Sequence, residues 1–74
     1  MKTQYLFYTV RYGSVGHKWE FRWPGNRTLL VACKGRAVAD KVARIVAGSL
    51  KRSSNELDGL ARSAITKLIN TPAE

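Results

Sequence analysis

The run Lys18-Trp19-Glu20-Phe21-Arg22-Trp23 alternates without a fault between ring and charge. Successive side chains of a strand point to opposite faces, so Trp19, Phe21 and Trp23 fall on one side and Lys18, Glu20 and Arg22 on the other. In a helix Phe21 would fall on the side opposite Trp19 and Trp23. The chain is therefore expected to build a sheet with one apolar face and one wet face, with other elements covering the rings.

The flanking segments extend this reading. Tyr5 to Tyr12 is dense in aromatic and β-branched residues, and Leu6, Tyr8, Val10 and Tyr12 share one parity, which predicts a strand over about 4–12. Gly13-Ser14-Val15-Gly16-His17 reads as a hairpin turn because of its two glycines. The alternating strand follows over 18–23. Pro24-Gly25-Asn26 then sets a second turn, with proline fixing one dihedral angle and Gly or Asn tolerating the positive angle after it. A third strand over about 28–34 contains the continuous apolar run Leu29-Leu30-Val31-Ala32-Cys33, the pattern of a strand that is central or covered on both faces.

From Arg36 the period becomes helical. Val38, Val42, Ile45, Val46 and Ser49 line one side of a helix over about 36–50, and Arg36, Asp40, Arg44, Ala47 and Lys51 line the other. A second helix is expected over about 54–69. Ser53 and Glu56 have capping-box spacing, and Asp58 adds favourable charge near the start. Leu57, Leu60, Ala61, Ala64, Ile65, Leu68 and Ile69 form its apolar stripe, and Asn70-Thr71-Pro72 closes it. The fold class is thus α+β: an antiparallel three-stranded meander followed by two helices, βββαα, in a single small domain over 1–74.

A domain of 74 residues is marginally stable unless a disulfide, a metal or a second subunit helps it. Cys33 has no second cysteine to pair with, and His17 alone beside it makes no metal cluster. An unpaired thiol fits a reducing compartment. No apolar run approaches the about 18 residues that span a bilayer, and no secretory leader is apparent, so a cytoplasmic location is expected. A homodimer, through the stripe of residues 57–69 or through an edge strand, is the aid that remains open, although the stripe is first expected to pack on the chain's own sheet.

The same inventory argues against catalysis. Cys33 lies in an apolar strand, the single histidine sits in a turn, and each carboxylate has a strand-face or helix-start setting. Gly13-x-x-Gly16 lacks the lysine and hydroxyl residue of a phosphate loop. No cofactor is implied. A binding function is expected, and the charge points to its partner.

Residues 1–52 hold eleven Lys or Arg against Glu20 and Asp40, a balance of +9, whereas residues 53–74 balance at −1. A positive field concentrated in this way attracts polyanions and makes their binding depend on salt. Two cation groups are candidates. Arg11, Lys18, Arg22 and Arg27 would line the open face of the sheet, with Tyr5 and Phe7 joining them to stack on bases or sugars. Lys34, Arg36, Lys41, Arg44, Lys51 and Arg52 surround the first helix, where Lys34 and Arg36 could meet a phosphate at its positive end.

The segment from His17 through Trp19-x-Phe21-x-Trp23, the strand Leu29 to Cys33 and the basic helix with Ala39, Ala43 and Ala47 resembles the latter half of a double-stranded-RNA-binding domain. That family carries a helix before its strands, where this chain has Tyr5 to Tyr12. Three strands followed by a helix also look like the arm-type DNA-binding domain of tyrosine recombinases, which lays its sheet in the major groove. The expected function is non-catalytic nucleic-acid binding, duplex DNA ahead of RNA. The alternative is a small regulator or inhibitor, of the kind found in phages and mobile elements, that binds an acidic surface of a host protein.

Overall fold

Tight reversals fold the first part of the chain into one antiparallel sheet. The computed structural model describes residues 5–7, 9–54 and 56–70. They form β1 (Tyr5–Phe7), β2 (Val10–Val15), β3 (Lys18–Trp23), β4 (Arg27–Val31), α1 (Arg36–Arg52) and α2 (Gly59–Asn70). The strands lie in the order β1-β2-β3-β4. The α+β plan of an antiparallel meander followed by two helices is present, in a single unit whose radius of gyration is 11.5 Å.

The segment expected as one strand over 4–12 is a hairpin, which brings the sheet to four strands. Tyr5 pairs with Tyr12, Leu6 with Arg11 and Phe7 with Val10. One strand of that length would run about 30 Å, past the six-residue β3 beside it, and folding back pairs the overhang instead. The reversal also changes parity: position 6 pairs with Arg11, not with the face of Val10 and Tyr12. Tyr8 lies outside the described residues, as do Asn55 and the Thr71-Pro72 stop.

The next turn is shorter than its glycines suggest. β2 continues through Gly13, Ser14 and Val15, which pair with Glu20, Trp19 and Lys18, leaving a loop of Gly16 and His17. Gly16 takes φ 62°, at the loop position where a two-residue hairpin favours glycine. Gly25 (φ 92°) and Asn26 (φ 57°) supply the positive angles of the turn into β4.

The register sorts the sheet into two faces. Val10, Tyr12, Phe21, Trp23 and Val31 are buried and meet α1 through Ala39, Val42, Ala43, Val46, Ala47 and Leu50. Tyr12 stacks on Phe21 with ring centroids 5.6 Å apart and tilts against Trp19 at 6.1 Å. Small residues at 39, 43 and 47 let the helix backbone come close to this aromatic layer. Ala47 was expected on the polar side of α1 but is buried, because the packed arc is wider than a single stripe. Asp40, expected on the same polar side, is half-buried and accepts a hydrogen bond from the Tyr12 hydroxyl, which joins α1 to β2. Burial first, and then this bond, push the Tyr12 phenol up to about 12.

α2 begins at Gly59, later than expected, because Asp58 and not a Ser53–Glu56 capping box starts it. Asp58 Oδ1 accepts the Ala61 N–H at 2.8 Å, the reach of an N-cap to its third helical residue. Arg52 donates to both Asp58 oxygens at 3.0 to 3.2 Å, and the Ser53 hydroxyl donates to Oδ2 at 3.0 Å. Ser49, fully buried, donates its hydroxyl to the Glu56 carbonyl at 2.9 Å and accepts the Asp58 N–H at 2.7 Å. The two helix ends are thereby tied together, and the bonds to the Asp58 carboxylate, from the Ala61 N–H first and then from Ser53 and Arg52, hold it below its usual range.

Candidate nucleic-acid interface

Alternation in β2, β3 and β4 puts the other half of the sheet residues on the face away from the helices. Arg11 stands directly across from Arg22, Val15 from Lys18, Arg22 from Thr28 and Glu20 from Leu30. Arg11, Lys18, Arg22, Thr28 and Leu30 are exposed on this face, with Glu20 partly buried among them. Three of the four cations expected on the open face are therefore brought together.

Arg27 is not among them. It pairs in register with Trp23, a core-face position, and its guanidinium lies 3.2 Å from the Glu56 carboxylate. The expectation failed because residue 27 begins β4 with the parity of the core instead of sitting in the turn. Tyr5 and Phe7 depart from the open face for a similar reason. They pair with the buried Tyr12 and Val10, so their positions belong to the opposite face from Arg11 and Arg22.

Two like charges directly opposite each other on a sheet destabilise it. Arg11 and Arg22 nonetheless hold this arrangement, and neither makes an ion pair among the described residues. Lys18 is likewise unpaired among them. The pairing was legible in principle, since counting back from the two-residue Gly16-His17 loop sets Arg11 against Arg22. The expected longer turn concealed it. Thr28 and Leu30 were missed as members of this face because the run that holds them lacks alternation.

The second cation group lies on the opposite layer. Lys41, Arg44 and Lys51 form an exposed ridge along α1, with Arg36 at its start and Lys34 just before it. Helix α1 has no side-chain N-cap and no acidic residue in its first turn. Arg52 is engaged by Asp58. Arg36, Arg44 and Lys51 each take part in interactions within the chain. One flat ligand surface cannot meet both groups at once, because the sheet and its aromatic core stand between them.

Cys33 is half-buried beyond the end of β4, and burial pushes its thiol up to about 11. At neutral pH it is a poor nucleophile and a packing residue. No helix among the described residues is long and apolar enough to cross a membrane. Comparison with protein families, curated proteins and solved structures finds no match to this chain.

Proposed function

We propose that the chain binds duplex nucleic acid, DNA in preference to RNA, by laying the open face of its sheet on the phosphate backbone. The observation that carries this reading is the Arg11–Arg22 opposition on an exposed face, with Lys18 on the same strand as Arg22. A phosphate between the two guanidiniums would turn an unfavourable pair into a favourable triad, since arginine presents a fork that matches phosphate oxygens. The chain's net charge of +8 supplies the longer-range attraction.

The choice of duplex over single strand follows from where the rings are. Tyr12, Phe21 and Trp23 are buried and Trp19 packs against the core, so the described side chains offer no stacking platform beside the cations. The choice of DNA follows from groove shape. The phosphates that such a face would contact flank a major groove about 12 Å wide in DNA, whereas that of an RNA helix is deep and narrow.

Titration of short labelled duplex DNA, duplex RNA and single-stranded DNA at about 50 and 200 mM salt tests the reading. Duplex DNA is expected to bind tightest, with a logarithmic salt slope near −3 for the three sheet cations, each contributing about 0.9. Arg11→Ala with Arg22→Ala should lower that slope by about 2 and weaken binding, while Lys41→Ala with Lys51→Ala changes it less. A flat salt response, or an unchanged affinity in the sheet variant, would overturn the reading and turn attention to an acidic protein surface.

A further inference from the structure

We infer that β4 is the seam of a symmetric homodimer, in which the β4 edges of two copies pair antiparallel and join two four-stranded sheets into one of eight strands. Residues 29–33 have the unbroken apolar character of a strand covered on every side, yet β4 is the outermost strand and no described segment pairs with its outer edge. Leu30 is 55% exposed. Edges that stay solitary are usually protected by lysine, proline, a bulge or a covering segment, and Thr28 to Cys33 contains neither a charge nor a proline.

The surroundings of the edge are open in the same way. Helix α2 packs chiefly against α1 instead of the sheet. This leaves a groove of about 220 Å³ between β4 and α2, lined by Leu29, Val31, Leu57, Ile65 and Ile69 together with Arg62 and Thr66. A stable interface takes about 800 Å² from each partner, which a five-residue edge cannot provide by itself. The occupant must add a strand and also fill the apolar space beside it.

A second copy supplies the strand, and because the two-fold axis keeps both helical layers on one side, it sets its own Leu29 and Val31 against those at the mouth of the groove. Centred on Leu30, the antiparallel alignment sets Leu30 on Leu30, Leu29 on Val31 and Thr28 on Ala32 of the other copy. Arg27 then falls opposite Cys33 and Lys34 opposite Asn26, so no like charges meet along the seam. Antiparallel pairing about an axis perpendicular to the sheet keeps both open faces on one side. The Arg11–Arg22 pairs of two copies would form a single basic surface, although the dimer itself requires no nucleic acid.

Sedimentation velocity on the full chain without nucleic acid, over a wide concentration range and at two salt concentrations, tests the inference. A monomer–dimer equilibrium is expected, tightening as salt rises because each copy carries +8. Leu30→Lys should weaken the dimer by about tenfold or more, since it places two ammonium groups together at the symmetry axis. Leu60→Lys, on the exposed side of α2 and outside the groove, should leave it unchanged. Thermal melts of both variants at low concentration verify that the monomer still folds. A wild-type chain that stays monomeric would overturn the inference and leave the edge to a strand from another protein. So would a dimer broken by Leu60→Lys but not by Leu30→Lys. Sedimentation and DNA titration of Arg11→Ala with Arg22→Ala keep the two readings separable, because neither residue lies on β4: the dimer should persist while DNA binding weakens.

Discussion

The two helices have comparable apolar patterns in the sequence and unequal positions in the fold. Helix α1 buries Ala39, Val42, Ala43, Val46, Ala47, Ser49 and Leu50, spread over more than a single stripe. Helix α2, whose spacing is the more regular, buries Ala61 and Ile65, while Leu60 is 74% exposed. The difference lies in what each helix faces. α1 lies against β2 and β1, with the rings of Tyr12 and Phe21 in the layer it helps to bury, whereas α2 has α1 as its main neighbour. Periodicity thus reports which side of a helix is apolar, and the width of the surface it meets decides how much of that side leaves water.

This contrast can be broken by mutation. Leu50→Ala, in the layer where α1 meets the rest of the core, should have the largest effect, a loss of about 3 kcal/mol. In a domain of this size that lowers the melting temperature by more than about 10 °C, readable by circular dichroism. Asp58→Ala should come next. It removes the cap of α2 together with the acceptor for Arg52 and Ser53, and so loosens α2 against α1. Its effect should depend on pH. The Asp58 carboxyl titrates below its ordinary 3.8 when folded, so its contribution is present above that value and disappears as pH falls through the lower folded value. Acid melts of wild type and Asp58→Ala should converge. Persistence of the gap at low pH would show that the carboxylate charge is not what holds the joint.

A smaller effect is expected at the other end of the pH scale. The Tyr12 phenol is raised from 10.0 to about 12, so the stability it lends is complete below pH 10 and declines between pH 10 and 12 as the unfolded chain ionises first. Tyr12→Phe should remove that alkaline decline, and a decline of equal size in the variant would assign it to another group. The smallest effect belongs to Leu60→Ala, within about 0.5 kcal/mol of wild type in the monomer. If it matched Leu50→Ala, the contrast between the helices would be wrong and α2 would be covered more fully than described.

Among the residues, those legible from the sequence are the ones whose signal is local. The alternation of Lys18 to Trp23, the turn at Pro24-Gly25-Asn26 and the change of period at Arg36 each arise within a few consecutive residues, where backbone geometry fixes the spacing of side chains. They were enough for an antiparallel meander followed by two helices and for one face of the sheet to carry Arg11, Lys18 and Arg22. The hairpin within 4–12, the placement of Arg27 toward Glu56, the role of Ser49 beneath Asp58 and the edge position of β4 were not legible. The hairpin is local but carries no Gly or Pro to mark its reversal, and the others depend on which segment arrives at a given face, of which a side chain's own neighbours carry no record. The sequence by itself determined the order of a strand meander and two helices and the two faces of β3; only the tertiary structure decided which faces were covered, because coverage is a property of pairs of segments brought together by folding.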